Sequence, residues 1–326
     1  MSKSFTAVTY HFVRDIVGSK WPNLKGINCK DFKEQINFFK KNYTFVSYSD
    51  LIDCLNGGEL PPKAIVLTFD EGFKDHYNTV FPLLHEAGIQ GFFFPNGKSI
   101  MEKKILDVNA IKFILNCAPS VESITKDLYR FLDENRNEYN LDTKDEYYKK
   151  YAKKGRYDDA NVVFLKRMLQ HVLEDKIRHR IVESLFNKYV TSDEEAFADQ
   201  LYVNIDELRT MLNSGMYIGS HGYDHPWFSK LTLEDQERDI DRSIDFLKSL
   251  GSPIDGWIMC YPYGVFNGSL IDILKKKNCS MAFSTKENIT ALTRDNAYTL
   301  ERLDTNDFPK KLDEHPGEWS QKIMNS

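Results

Sequence analysis

The alternation of short apolar runs with amphipathic helical stretches constrains this chain more than any other feature. Residues 5–10 read as a strand. Residues 31–41 read as a helix with Phe32, Ile36 and Phe39 on one face, and a second short helix starts near Ser49. Residues 64–69 (AIVLTF) form a β-rich run entered through Pro61-Pro62. Residues 79–87 are predicted helical, ended by Gly88, and 89–94 are again apolar. The rhythm returns later. Helices are predicted over 205–213, 231–250 and 269–277, and strands over 216–219, 256–261 and 279–284. The longest of these helices opens on a capping box, Thr232 and Asp235, and closes at Gly251. Strand–helix–strand at this spacing predicts βαβ units and a parallel sheet. Residues 98–197 break the pattern. They are rich in Lys, Asp and Tyr, with helical periodicity at 162–172 and 177–190. The predicted organisation is one α/β barrel built from residues 1–97 and 198–326, interrupted by a helical insertion over 98–197.

Composition removes several classes. A chain of 326 residues with 41% hydrophobic content buries a core without disulfide or metal staples. A net charge of −5 argues against a nucleic-acid partner. Five scattered cysteines without a C-x-x-C pair read as reduced thiols. No apolar run approaches the length of a membrane span. The opening MSKSFTAVTYHFVRD has no signal-peptide core, so a cytoplasmic location is expected.

Three motifs follow apolar strands, and in a parallel barrel such strand ends form the active-site face. Thr68-Phe69-Asp70-Glu71-Gly72 places two carboxylates side by side. They repel unless a cation lies between them; alone, they read equally well as a helix cap. His221-Gly222-Tyr223-Asp224-His225 carries two histidines four apart, able to share one metal on a helical turn, or to sit in a solvated loop. Cys260-Tyr261-Pro262-Tyr263-Gly264 makes a rigid turn at a strand exit, or an ordinary end of a strand. Two carboxylates and two histidines converging on one barrel mouth suit metal-assisted hydrolysis.

TFDEG, SHGYDH and YPYG in this order resemble the polysaccharide deacetylase family (NodB-type, carbohydrate esterase family 4), as do Tyr10-His11 and Phe81-Pro82-Leu83-Leu84. The resemblance covers residues 5–98 and 198–305 and implies a deformed (β/α) barrel. It implies hydrolytic removal of an acyl group from a sugar. It places Asp70 as catalytic base and Glu71, His221 and His225 as ligands of a divalent metal, zinc above others. The turn Tyr261, Pro262, Tyr263 and Gly264 would bind substrate, with the Tyr261 amide holding the oxyanion.

Three departures stand out. Glu71 replaces the family's Asp. The arginine before P-Y-G is missing, with Met259 and Cys260 in that region. Leu300-Glu301-Arg302-Leu303-Asp304 stands in place of the late Leu-x-His. Arg302 is the candidate for the missing charge and His11 for the missing acid. The expectation is a metal-dependent sugar N-deacylase, deacetylase or deformylase, serving surface-glycan synthesis. Its substrate would be an amino sugar available in the cytoplasm, nucleotide-linked or free. The alternative is a carbohydrate-binding protein of the same fold with impaired catalysis. A two-carboxylate glycosidase fits less well, because side chains of adjacent strand residues diverge. Gly91 to Ser99 resembles a phosphate loop but has one residue too many between its glycines.

Overall fold

The apolar runs fold into strands close to their predicted bounds. In the computed structural model, which describes residues 3–155, 158–311, 314 and 317–324, these are β1 (Ser4–Tyr10), β2 (Thr44–Phe45), β3 (Ala64–Asp70), β4 (Gly91–Phe94), β5 (Tyr217–Ile218), β6 (Ile258–Cys260), β7 (Met281–Phe283), β8 (Thr290–Ala291) and β9 (Leu303–Asp304). β2, β8 and β9 are two residues each, too short to show a period, and they were not expected from the sequence. The helix expected over 79–87 begins instead as a π turn, His76–Val80, and continues as Phe81–Glu86.

The fold is a deformed (β/α) barrel, and its closure is uneven. β5-β4-β3-β1 pair side by side, all parallel, and β9 pairs parallel to β1. β6 and β7 form a separate parallel pair. Two isolated bridges join the pieces: Ser220 to Met259 links the exit of β5 to β6, and Phe283 to Leu300 links β7 to the segment before β9. The circuit therefore closes through single residue pairs rather than ladders.

Period-2 alternation sorts the strand side chains into two layers. Phe5, Ala7, Ala64, Val66, Phe92, Phe94, Tyr217, Ile258, Cys260, Met281, Phe283 and Leu300 share one core. Their neighbours Val8, Tyr10, Ile65, Leu67, Phe69 and Phe93 pack against helix residues such as Phe32, Ile36 and Leu247 in a second. Phe69 stacks between Tyr10 and Phe93 at centroid distances of 5.0 and 4.9 Å. The helix Leu233–Leu250 starts at Thr232, whose hydroxyl accepts from the Asp235 amide, and ends at Gly251 in the left-handed region.

The chain divides into two compact units, one of Met1–Ile16, Lys25–Glu102 and Asp199–Ser326, the other of Val17–Leu24 and Lys103–Ala198. The second is helical, with Ile111, Phe113, Leu128, Phe164, Leu169, Ile177 and Leu185 buried along Asp107–Cys117, Val121–Tyr139, Ala160–Arg167, Met168–Val172 and Asp175–Tyr189. The loop 17–24 belongs to it through Trp21, whose ring meets Phe113 and Phe197 edge-on at 5.0 and 5.8 Å. No described helix is long and apolar enough to cross a membrane.

Candidate active site

The inward positions of each strand change from apolar to polar at the strand's C-terminal end. Along β3 they read Ala64, Val66, Thr68, Asp70; along β1, Phe5, Ala7, Thr9 and then His11. After Phe94 comes Asn96, after Tyr217 and Gly219 comes His221, after Ile258 comes Cys260, and after Leu300 comes Arg302. Parallel strands bring these ends to one mouth.

Asp70 is 2% exposed and fully engaged. Arg302 grips it with two bonds, Nη1 to Oδ1 at 2.9 Å and Nη2 to Oδ2 at 2.8 Å. Arg302 also donates to the Ser284 carbonyl and to Thr68 Oγ1, both at 3.0 Å, so its fork is fixed in place. Thr9 Oγ1 lies 3.4 Å from Asp70 Oδ2, and Cys260 Sγ 3.4 Å from Oδ1. Burial alone would favour the neutral acid. The Arg302 charge and its paired bonds override it and keep the carboxyl ionised well below the usual range.

Glu71, also 2% exposed, follows with φ +73°, and Gly72 with φ +69°. The double left-handed step turns the chain out of the strand, and its second position demands glycine because a Cβ there would sit 2.8 Å from Pro95 Cβ. The Glu71 carboxylate faces His11 Nε2 at 3.8 Å. His11 is partly exposed; its carbonyl accepts from Nε2 of buried His76 at 2.8 Å. Burial pushes the His76 pKa down to about 4, so it works as a neutral donor.

His221 is buried, and its Nδ1 lies 2.7 Å from the Cys260 carbonyl. A carbonyl only accepts, so Nδ1 carries the proton and Nε2 keeps its lone pair. Burial lowers the His221 pKa, in keeping with a neutral ring. The His225 ring lies 4.8 Å from that of His221 and 4.6 Å from Tyr263, which in turn stacks on Trp227 at 4.3 Å. Asn96 Nδ2 donates to the carbonyls of His221 and Gly222 at 2.6 and 3.0 Å. Asp239 accepts from the amides of Tyr223 and Asp224 at 2.8 and 2.9 Å. The segment that resembled a phosphate loop thus ends in a clasp on the histidine loop. From the sequence, Asn96, Asp239 and Thr9 carry no signal of function, and Cys260 stands out only as the first residue of the strand-exit turn. For Asn96 and Cys260 the missing signal was the strand register carried two residues past the apolar run.

The turn after β6 differs from expectation at Tyr261. Its amide donates to the Phe283 carbonyl at 3.0 Å as part of the β6–β7 pairing, and its side chain is fully buried with the hydroxyl on the Tyr298 carbonyl. Pro262 has no N–H, so the first turn amide beyond the ladder belongs to Tyr263, at φ +58°. Gly264, φ +68°, is pressed against Thr285 and admits no Cβ. Among the described non-glycine, non-Asn residues with positive φ, namely Lys63, Glu71, Lys103, His225 and Tyr263, three belong to this site. Backbone strain of this kind concentrates where geometry serves function.

Ligand atoms of Asp70, His221 and Cys260 lie within 4.8 Å of one another. A carboxylate, an imidazole turned by its outer hydrogen bond and a thiol are donors that suit a borderline-soft dication. Glu71 stands outside this triple on the His11 side, and His225 touches it through His221.

The sequence pattern of the polysaccharide deacetylase family matches residues 57–145 and 179–282, more than half of the chain. The chain belongs to the polysaccharide deacetylase family. Among individual relatives, it is 34% identical over 82 residues to the poly-β-1,6-N-acetyl-D-glucosamine N-deacetylase of Escherichia coli K12. That match covers 24% of this chain and 12% of the relative's length. Among solved structures, the Streptococcus pyogenes deacetylase PplD, in complex with acetate, superposes with a TM-score of 0.57 at 16% identity, covering 92% of each chain. IcaB from Ammonifex degensii gives 0.55 at 16% identity over 98% of this chain and 95% of its own. At these identities the structures establish the fold.

Proposed function

We propose that this chain hydrolytically removes N-acyl groups, acetyl and by extension formyl, from an amino-sugar glycan destined for a cell surface. The observation that carries the reading is the convergence of Asp70, Arg302 and His221 at the mouth of a barrel of this family. The E. coli relative named for an N-acetylglucosamine polymer supports an amino-sugar substrate.

His221 and His225, with Glu71 beside them, would hold a divalent ion, zinc being the best match to imidazole and carboxylate donors. Such an ion supplies a Lewis acid for the acyl carbonyl and acidifies a water. Asp70 is the proton acceptor, its oxygens held by Arg302 and touched more weakly, at 3.4 Å, by Thr9 and Cys260. Arg302 keeps that acceptor ionised and fixes its direction. The Tyr263 amide, the first of the turn beyond the ladder, would donate to the oxyanion. His11, partly exposed and held by His76, gives the leaving nitrogen its proton.

The test is release of acetate or formate from N-acylglucosamine oligomers and from nucleotide-linked N-acyl sugars. Release should disappear with chelator and return with zinc. Asp70→Asn should lower the rate by about 10²–10⁴-fold, the usual contribution of a general base. Binding of the oligomers without release of acid would instead define a carbohydrate-binding protein.

A further inference from the structure

We infer that the Cys260 thiolate is itself a ligand of the metal in this site, alongside His221. The inference rests on the metal-hydrolase reading above and adds to the ligand set that the histidine and acidic motifs suggest.

Cys260 meets the site twice. Its carbonyl accepts from His221 Nδ1 at 2.7 Å and so aims the opposite ring nitrogen. Its sulfur lies 3.4 Å from Asp70 Oδ1 and, with that oxygen and a His221 nitrogen, forms a set of donors within 4.8 Å of one another. In tetrahedral zinc, a sulfur at about 2.3 Å and a nitrogen at about 2.1 Å lie about 3.6 Å apart, so one ion reaches both after a closure of at most about 1.2 Å.

Charge points the same way. Asp70 and Arg302 cancel as a buried pair. With neutral imidazoles and one negative charge from Glu71, a dication leaves the pocket at +1. A thiolate brings it to zero, and a buried unpaired charge is costly. Arg302, bonded to Asp70 beside the sulfur, adds a nearby positive charge. A soft thiolate also biases the site towards zinc or cobalt and away from magnesium or manganese.

The test uses the full chain loaded with Co²⁺ and read by absorption spectroscopy, independently of turnover. The wild type should show a near-ultraviolet sulfur-to-cobalt charge-transfer band at one equivalent. Cys260→Ser should still bind cobalt, about 10–100-fold more weakly by analogy with the loss of outer ligand partners, and without the band. Stoichiometric cobalt binding with no such band in the wild type, or a band that survives in Cys260→Ser, overturns the inference while leaving a nitrogen–oxygen metal site standing. No cobalt binding in the wild type overturns both this inference and the metal-hydrolase reading. The wild-type spectrum alone is decisive if the variant fails to fold.

Discussion

The two halves of the barrel are built differently. β1, β3 and β4 pair through continuous parallel ladders, and their outward side chains stack as Tyr10, Phe69 and Phe93. From β5 round to β9 the strands are two or three residues long, and the circuit is joined by single bridges at Ser220–Met259 and Phe283–Leu300. Yet this weaker half delivers His221, Cys260 and Arg302. The regular half presents carboxylates; the seam brings what neutralises and orients them. Arg302 spans the two, with its backbone amide on Lys286 and its fork on Asp70.

Removing that link should have the largest effect. Arg302→Met leaves Asp70 buried without its counter-charge, a change that costs about 3–5 kcal/mol in comparable buried pairs. In the wild type the folded pKa of Asp70 lies below its unfolded value, so its contribution is present above about pH 3.9 and is lost only as the pH falls through the folded value. In the variant burial acts unopposed and the folded pKa rises above the unfolded one. Its stability should then be greater in acid and decline as the pH rises through the new value. Urea unfolding at pH 5 and pH 7 checks this. A variant whose midpoint changes between pH 7 and pH 5 no differently from the wild type's would show that the seam does not hold Asp70's charge.

The same contrast explains what could be seen in the sequence. Strands of four to seven residues announce themselves as apolar runs, and β1, β3 and β4 lie close to where those runs put them. The helices Cys29–Asn42 and Ile205–Asn213 were equally legible from their apolar stripes. The seam was harder to read. Leu300-Glu301-Arg302-Leu303-Asp304 carries no strand pattern of its own, because one bridge and a two-residue strand are tertiary events. Asp70, His221 and His225 could be singled out by residue type at strand exits. Cys260 opens the strand-exit motif without a role of its own, and only the period-2 register turns it toward Asp70. The Tyr261 amide, expected at the oxyanion, is consumed by a ladder with Phe283 that the motif alone does not reveal.

A smaller effect should come from Asp239, which tethers the histidine loop to the helix Leu233–Leu250. Burial pushes its pKa up to about 6, against the opposing bonds from the Asp224 and Tyr223 amides. The contribution of a group shifted this way is full below its unfolded value and is lost as the pH rises through about 6. Its size is on the order of 3 kcal/mol, since each pKa unit corresponds to about 1.4 kcal/mol. Asp239→Asn should flatten that part of the stability–pH curve between pH 4 and pH 7, read as the difference from wild type in thermal or urea unfolding. An unchanged slope would mean that the tether is already neutral or already exposed, and that the seam does not depend on it.

The smallest effect separates helix stability from the chemistry of the seam. Thr232 caps Leu233–Leu250 by accepting from the Asp235 amide, and its own hydroxyl proton goes to Asp235 Oδ2 at 2.8 Å. Thr232→Ala exposes one helix amide and should cost about 1 kcal/mol. Asp239 lies on the second turn of this helix, so fraying could reach the histidine loop. The rest of the helix resists that, because Ile240, Phe246, Leu247 and Leu250 are buried against the outer layer. Unfolding midpoints should therefore drop modestly while metal affinity stays within about twofold of wild type, a shift of about 0.4 kcal/mol. A loss of metal affinity larger than the loss of stability would show that the cap and the histidine loop move together. The seam would then be held from its supporting helix as much as from its strands.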